Sequence, residues 1–71
     1  MGYETIVANI QAIIDEKGLK QGFVAEKAGF TPKEMSDMLN DNRKLIRAEY
    51  IPVLAYALGV PITEIFYHKK Q

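Results

Sequence analysis

Hydrophobic residues recur at spacings of three and four along much of this chain, which is the period of α-helices that pack through one face. The first such set is Tyr3, Ile6, Val7, Ile10, Ile13 and Ile14. Gly18 follows the set, and glycine often ends a helix because it adopts positive φ without steric penalty. The pattern predicts a first helix over residues 3–17.

Two shorter helices are predicted next, with a turn at Gly29 between them. The second helix covers residues 21–28 and turns Val24 and Ala28 inward. The third helix covers residues 32–40. Its inward positions are Met35, Met38 and Leu39.

The start of the third helix carries a capping signal. Thr31 is a favourable N-cap, Pro32 suits the first helical position, and Glu34 follows the threonine by three residues. This is the pattern of a capping box, in which two backbone N–H groups at the helix start are satisfied reciprocally. We therefore expect the third helix to begin at residue 32.

A fourth helix is indicated by Ile51, Leu54, Ala55 and Leu58, and Gly59 closes it. Proline is costly inside a helix but harmless in the first turn, so Pro52 leaves two interpretations open. Either the helix starts near Glu49 or Tyr50, or it bends at Pro52.

Pro61 opens the last predicted helix, which covers residues 62–67. Its spacing turns Ile62, Ile65 and Phe66 inward. The remaining residues, 68–71, include His68 and two lysines and are expected to form a short polar tail.

Length and composition favour one small domain that covers residues 1–71. The chain has 71 residues, of which 48% are hydrophobic, and no strand-like alternation. We therefore expect an all-α fold, a compact bundle of five helices. Cysteine is absent, which suits the cytosol, so a cytoplasmic location is expected. No apolar run approaches the roughly 18 residues of a membrane span, and the N-terminus lacks a signal-peptide pattern.

Catalytic and metal-binding constellations are not apparent in the sequence. There is no glycine-rich phosphate loop, and Ser36, His68 and an aspartate lack the spacing of a triad. One histidine without cysteine disfavours a metal site. We expect neither enzymatic activity nor a cofactor or small-molecule ligand.

Residues 19–40 have the features of a helix-turn-helix. Ala25 is small where two helices must cross closely, and Gly29 permits a tight turn between them. The pair would pack on the core through Val24, Phe30, Met35 and Met38. In such a motif the second helix can place its outer face in a DNA major groove.

These residues resemble the Cro and phage-repressor family of helix-turn-helix proteins. The family's usual glutamine, alanine and turn glycine match Gln21, Ala25 and Gly29, and its apolar turn residue and capping position match Phe30-Thr31. Further matches are Ala57-Leu58-Gly59-Val60 and Glu64-Ile65-Phe66. The resemblance extends from about Ile6 to Phe66 and implies a DNA-binding transcriptional regulator that recognises an operator.

The resemblance also implies roles for particular residues. The outer, base-reading face of the third helix would comprise Pro32, Lys33, Ser36 and Asp37. Contacts to the DNA backbone would come from Lys20, Gln21, Asn40, Asn42, Arg43 and Lys44. Side-chain chemistry agrees in part, because lysine can donate to guanine O6 and N7 and aspartate can accept from cytosine N4.

The charge of this region leaves a second function open. The chain has zero formal net charge, and residues 31–50 contain four basic and four acidic side chains. These are Lys33, Arg43, Lys44 and Arg47 against Glu34, Asp37, Asp41 and Glu49. Pro32 also stands where family members often place a polar base-reading side chain. The alternative function is a protein-interaction module on the same fold, such as an antirepressor.

Aromatic residues in the C-terminal half could form a dimer face, since repressors of this type commonly bind paired half-sites as homodimers. The candidates are Tyr50, Tyr56, Phe66 and Tyr67. The alternative is that these four rings, and that of Tyr3, are partly buried within one monomer.

Overall fold

The computed structural model describes residues 3–41 and 47–68. Within these ranges the chain is all-helical and contains no strand. The α-helices are α1 (Tyr3–Lys17), α2 (Gln21–Ala28), α3 (Pro32–Ser36), α4 (Ile51–Leu58) and α5 (Ile62–Phe66). The expected all-α architecture of five helices is confirmed, with the predicted order and nearly the predicted bounds.

The helix predicted over residues 32–40 changes pitch halfway. The α-helical part ends at Ser36, and a π-helical turn continues it over Asp37–Asp41. The Gln11 side chain on α1 donates from Nε2 to the carbonyl oxygen of Leu39 in this turn, at 3.1 Å. The apolar spacing predicted the inward positions Met38 and Leu39, which are buried, but not the change of pitch.

Pro52 is the second residue of α4 and lies in its first turn. A 3-10 turn, Ala48–Tyr50, leads directly into the helix. Proline's missing N–H is harmless there, because the first N–H groups of a helix have no intrahelical acceptor. Of the two interpretations left open by the sequence, the structure agrees with the first, a helix that starts close to Tyr50. The 3-10 turn ends at Tyr50, and α4 begins at Ile51.

The core lies between α1 and the other helices. Its buried members are Val7, Ile10, Ile13, Ile14, Val24, Ala25, Met35, Met38, Leu39, Ile51, Leu54, Ala55, Ala57, Leu58 and Ile65. α2 packs against α3 and α4, while α5 packs against α1 and α4. No residue of this core is charged or polar.

Two expectations about the C-terminal end are wrong. Ile62 was expected to face inward, but it is 45% exposed. α5 has fewer than two turns, and Ile65 is its one fully buried side chain. His68 was assigned to a polar tail, but its side chain is only 6% exposed. Residues 69–71 of that tail lie outside the described residues.

His68 connects the ends of two helices. Its Nε2 lies 2.9 Å from Oε2 of Glu16 on α1, and its Nδ1 lies 3.0 Å from Oε1 of Glu64 on α5. The hydrogen bond to Glu16, followed by that to Glu64, raises the pKa of the imidazole above its ordinary value. Both ring nitrogens can donate at once only in the imidazolium, so the arrangement favours the charged form.

Candidate nucleic-acid interface

The turn between α2 and α3 is closed by a left-handed glycine. Gly29 has φ 89° and ψ 20°. The Phe30 N–H donates to the carbonyl oxygen of Ala25 at 2.8 Å, which satisfies an acceptor at the end of α2. Ala25 is fully buried, as expected for a small residue at a close helix crossing.

The capping box at the start of α3 is present. Thr31 Oγ1 accepts from the Glu34 N–H at 3.1 Å, and Glu34 Oε1 accepts from the Thr31 N–H at 2.8 Å. Pro32 occupies the first turn. These contacts set the start of α3 directly after the turn, and Met35 anchors its inner side with no exposed surface.

The outer face of α3 and the following π turn carries two side-chain pairs four residues apart. Lys33 Nζ lies 3.3 Å from Asp37 Oδ2, and Asn40 Nδ2 donates to Ser36 Oγ at 3.3 Å. Pro32, Lys33 and Asn40 are exposed, while Ser36 and Asp37 are half-buried. The structure therefore brings the four proposed base-reading residues together on the solvent side of one short helical segment.

Two of the proposed backbone-contacting residues lie at the start of α2. Lys20 is an exposed N-cap with an extended backbone, and its side chain makes no capping hydrogen bond. Gln21 begins the helix and is half-buried. The candidates Asn42, Arg43 and Lys44 lie outside the described residues. Arg47, the first described residue after them, is exposed.

Tyr50, one of the candidates for a dimer face, packs within the monomer. Its ring meets Phe30 edge to face, with 5.1 Å between ring centroids and 75° between planes. The contact joins the helix-turn-helix turn to the start of α4. The sequence did not reveal this pair, since the two rings are twenty positions apart.

Tyr56 also has a partner within the chain. Lys27 Nζ lies 5.4 Å from the centroid of the Tyr56 ring and 5.6 Å from that of Phe23. Tyr56 remains 68% exposed and Tyr67 73%, while Phe66 is half-buried. The spacing of four between Phe23 and Lys27 on α2 was a usable signal that the sequence analysis missed.

The described residues contain neither a metal-binding cluster nor a helix able to span a membrane. No group of three or more histidine, cysteine, aspartate or glutamate side chains there could hold a metal ion. In the same part of the chain, no helix has the length and hydropathy needed to cross a membrane.

The class of protein follows from comparison with known families. A model of the Cro/C1-type helix-turn-helix DNA-binding domain matches residues 9–71. The chain belongs to this family.

The fold is also found in a solved structure, that of the clp gene regulator ClgR from C. glutamicum. The two superpose with a TM-score of 0.80 over 90% of this chain and 82% of that one, at 22% sequence identity. At this identity the likeness concerns the fold. No curated protein sequence matches the chain.

Proposed function

We propose that this chain is a sequence-specific transcription regulator that reads the major groove of an operator with the outer face of the helix over residues 32–40. The observation that carries the proposal is the arrangement of α3. Its inner side is fixed by Met35 and the capping box, and its outer side, continued by the π turn, presents Lys33, Ser36 and Asp37 together. A rigid helix with an exposed polar face is what major-groove recognition requires.

The proposed contacts fall into two kinds. Pro32, Lys33, Ser36 and Asp37 touch base edges, whereas the following residues touch the DNA backbone: Lys20, Gln21, Asn40, Asn42, Arg43 and Lys44. Backbone contacts position the domain and base contacts specify the sequence. The bound domain represses by competing with polymerase or a rival regulator for the operator, in the cytoplasm.

We further propose that the chain binds DNA as a homodimer. The exposed rings of Tyr56 and Tyr67, with Phe66 next to Tyr67 in the sequence, are the candidate contact. Tyr50 contributes less, because its ring already packs against Phe30. Sedimentation with and without operator tests this, and a monomer in both samples at tens of micromolar would contradict it.

Selection of bound sequences from a random DNA pool tests the main proposal. We expect enrichment of a palindrome with two half-sites. Affinity should fall with salt, with a slope of about −0.9 in log–log form for each phosphate neutralised. Absence of binding to any DNA at low salt would refute the proposal.

A matched pair of variants tests the distinction between base-contacting and backbone-contacting residues. Arg43→Ala should weaken binding to all sequences about equally, whereas Lys33→Ala should relax the preference at one base pair, by roughly 1–3 kcal/mol. If both variants lower the affinity equally for every DNA sequence, the distinction between the two kinds of contact is wrong.

The second candidate function is a protein-interaction module that does not bind DNA. It is favoured by the zero net charge and by the pairing of Lys33 with Asp37, which lowers the positive potential on α3. An antirepressor of this kind would bind a protein partner through the same face. The pool selection separates the two functions.

A further inference from the structure

An ion pair joins the outer face of α3 to the π turn that follows it. Lys33 is the second residue of α3, and Asp37 follows it by four residues. The opposite order, acidic before basic, is the more stabilising one on a helix. Lys33 is also 83% exposed, so the pair contributes little to folding. Its placement calls for another explanation.

The spacing of the pair matches the major-groove edge of a base pair. Lys33 Nζ, a donor, and Asp37 Oδ2, an acceptor, are 3.3 Å apart. In a G·C pair, guanine O6 accepts and cytosine N4 donates, and a Watson–Crick hydrogen bond joins them at about 2.9 Å. A lysine over O6 and an aspartate over N4 would therefore meet their partners side by side while remaining in contact with each other.

The position of purine N7 separates G·C from A·T. In G·C, N7 lies beside O6 and offers the lysine a second acceptor. In A·T, the acceptor facing the lysine is thymine O4, next to the methyl group. Adenine N7 then lies beside N6, on the side of the carboxylate, and the two acceptors repel. The pair is therefore complementary to G·C and not to A·T.

We propose that Lys33 and Asp37 act as one unit that recognises a single G·C pair, with Lys33 on guanine and Asp37 on cytosine. This inference rests on the proposed function, DNA binding through α3. Because the ion pair already places the two side chains next to each other in the free protein, less side-chain ordering is needed on binding than for two separated groups. Each charge keeps its partner when water leaves the groove, which avoids the penalty of an unpaired buried charge.

The first test uses the sequence enriched from a random pool. Each G·C pair of one half-site is replaced by A·T or by C·G, and binding is measured for wild type, Lys33→Ala and Asp37→Ala. At one position wild type should discriminate by roughly 5- to 150-fold, and both variants should lose the preference at that same position. Loss at two different positions, or at none, would overturn the inference.

Two further measurements test which atoms of the base pair the two side chains contact. Replacing that guanine by 7-deazaguanine removes N7 and should weaken wild type while leaving Lys33→Ala unchanged. In the double variant Lys33→Asp with Asp37→Lys, the donor and acceptor exchange places, so the preferred pair at this position should become C·G. Retention of G·C by the exchanged variant would refute the assignment.

Failure of the inference is distinguishable from failure of the proposed function. If no DNA is enriched, DNA binding itself is refuted and the inference with it. If DNA is enriched but Lys33→Ala and Asp37→Ala change the preference at two different positions, the proposed function stands and only the inference is refuted. If Lys33→Ala keeps every base preference, DNA binding stands, but both the base-reading role of Lys33 and the inference are refuted. Lys20→Ala is the matched control, because it also removes one lysine and should weaken all sequences without changing the selected one.

Discussion

The inner and outer sides of α3 are held by different kinds of contact. On the inner side, Met35 has no exposed surface and belongs to a core shared with α1, α2 and α4. On the outer side, Lys33 and Asn40 contact side chains one turn away, Asp37 and Ser36. Burial fixes the inner side tightly, whereas exposed pairs of this kind contribute at most about 1 kcal/mol. The outer side can therefore vary for recognition without loss of the fold.

The largest expected effect is on the inner side. Met35→Ala should lower the free energy of unfolding by about 2–5 kcal/mol, since it leaves a cavity in a small core. Denaturant unfolding measures this. Lys33→Ala is the outer control and should change stability by less than about 0.5 kcal/mol. Equal losses in the two variants would contradict the distinction between the two sides.

The turn should show the next largest effect. Gly29→Ala places a side chain at φ 89° and should cost about 1–2 kcal/mol. An added Cβ would meet no atom within 4 Å, so the cost is conformational. Gly22→Ala is the matched control in α2, also without a close contact, and should stabilise by roughly 0.5–1 kcal/mol. Thermal unfolding of the two variants should shift in opposite directions, and a shift in the same direction would contradict this account of the turn.

The capping box should contribute less. Thr31→Ala removes the acceptor for the Glu34 N–H and should cost about 1 kcal/mol. Thr31→Ser keeps the acceptor and serves as the control. The selected DNA sequence should be the same for both variants, because the cap sets where α3 starts and not what it contacts. A changed preference in Thr31→Ala would show that the cap also takes part in recognition.

The smallest effect concerns the contact of His68 with Glu16 and Glu64, and it depends on pH. The pKa of His68 is raised in the folded protein. The contact therefore stabilises the fold fully below the pKa of the unfolded chain, about 6.5, and this stabilisation is lost as the pH rises through the pKa of the folded protein. His68→Gln should therefore lower the melting temperature near pH 6 more than near pH 9. A difference that does not depend on pH would rule out the charged form. DNA preference should be unaffected, since the contact lies between α1 and α5.

Much of the scaffold could be predicted from local spacing. The three-residue separation of Thr31 and Glu34 and the position of Gly29 were sufficient for the capping box and the turn. The proposed base-reading set also came together, because positions 32, 33, 36 and 37 are three to four residues apart and share one side of a helix. The contact between Lys33 and Asp37 was not anticipated, although its spacing of four was visible. The expectation that Ile62 is buried failed because periodicity does not show where a neighbouring helix ends.

By itself, the sequence determined the helices, their order and the turn that relates α2 to α3. Those features depend on contacts between residues three or four positions apart. Such residues are neighbours in every α-helix, whatever the helix packs against. The tertiary structure decided the contacts of His68 with Glu16, of Gln11 with Leu39, and of Phe30 with Tyr50. The first two span 52 and 28 positions of the chain. Such pairs exist only after the helices dock, because docking places side chains that local geometry leaves independent.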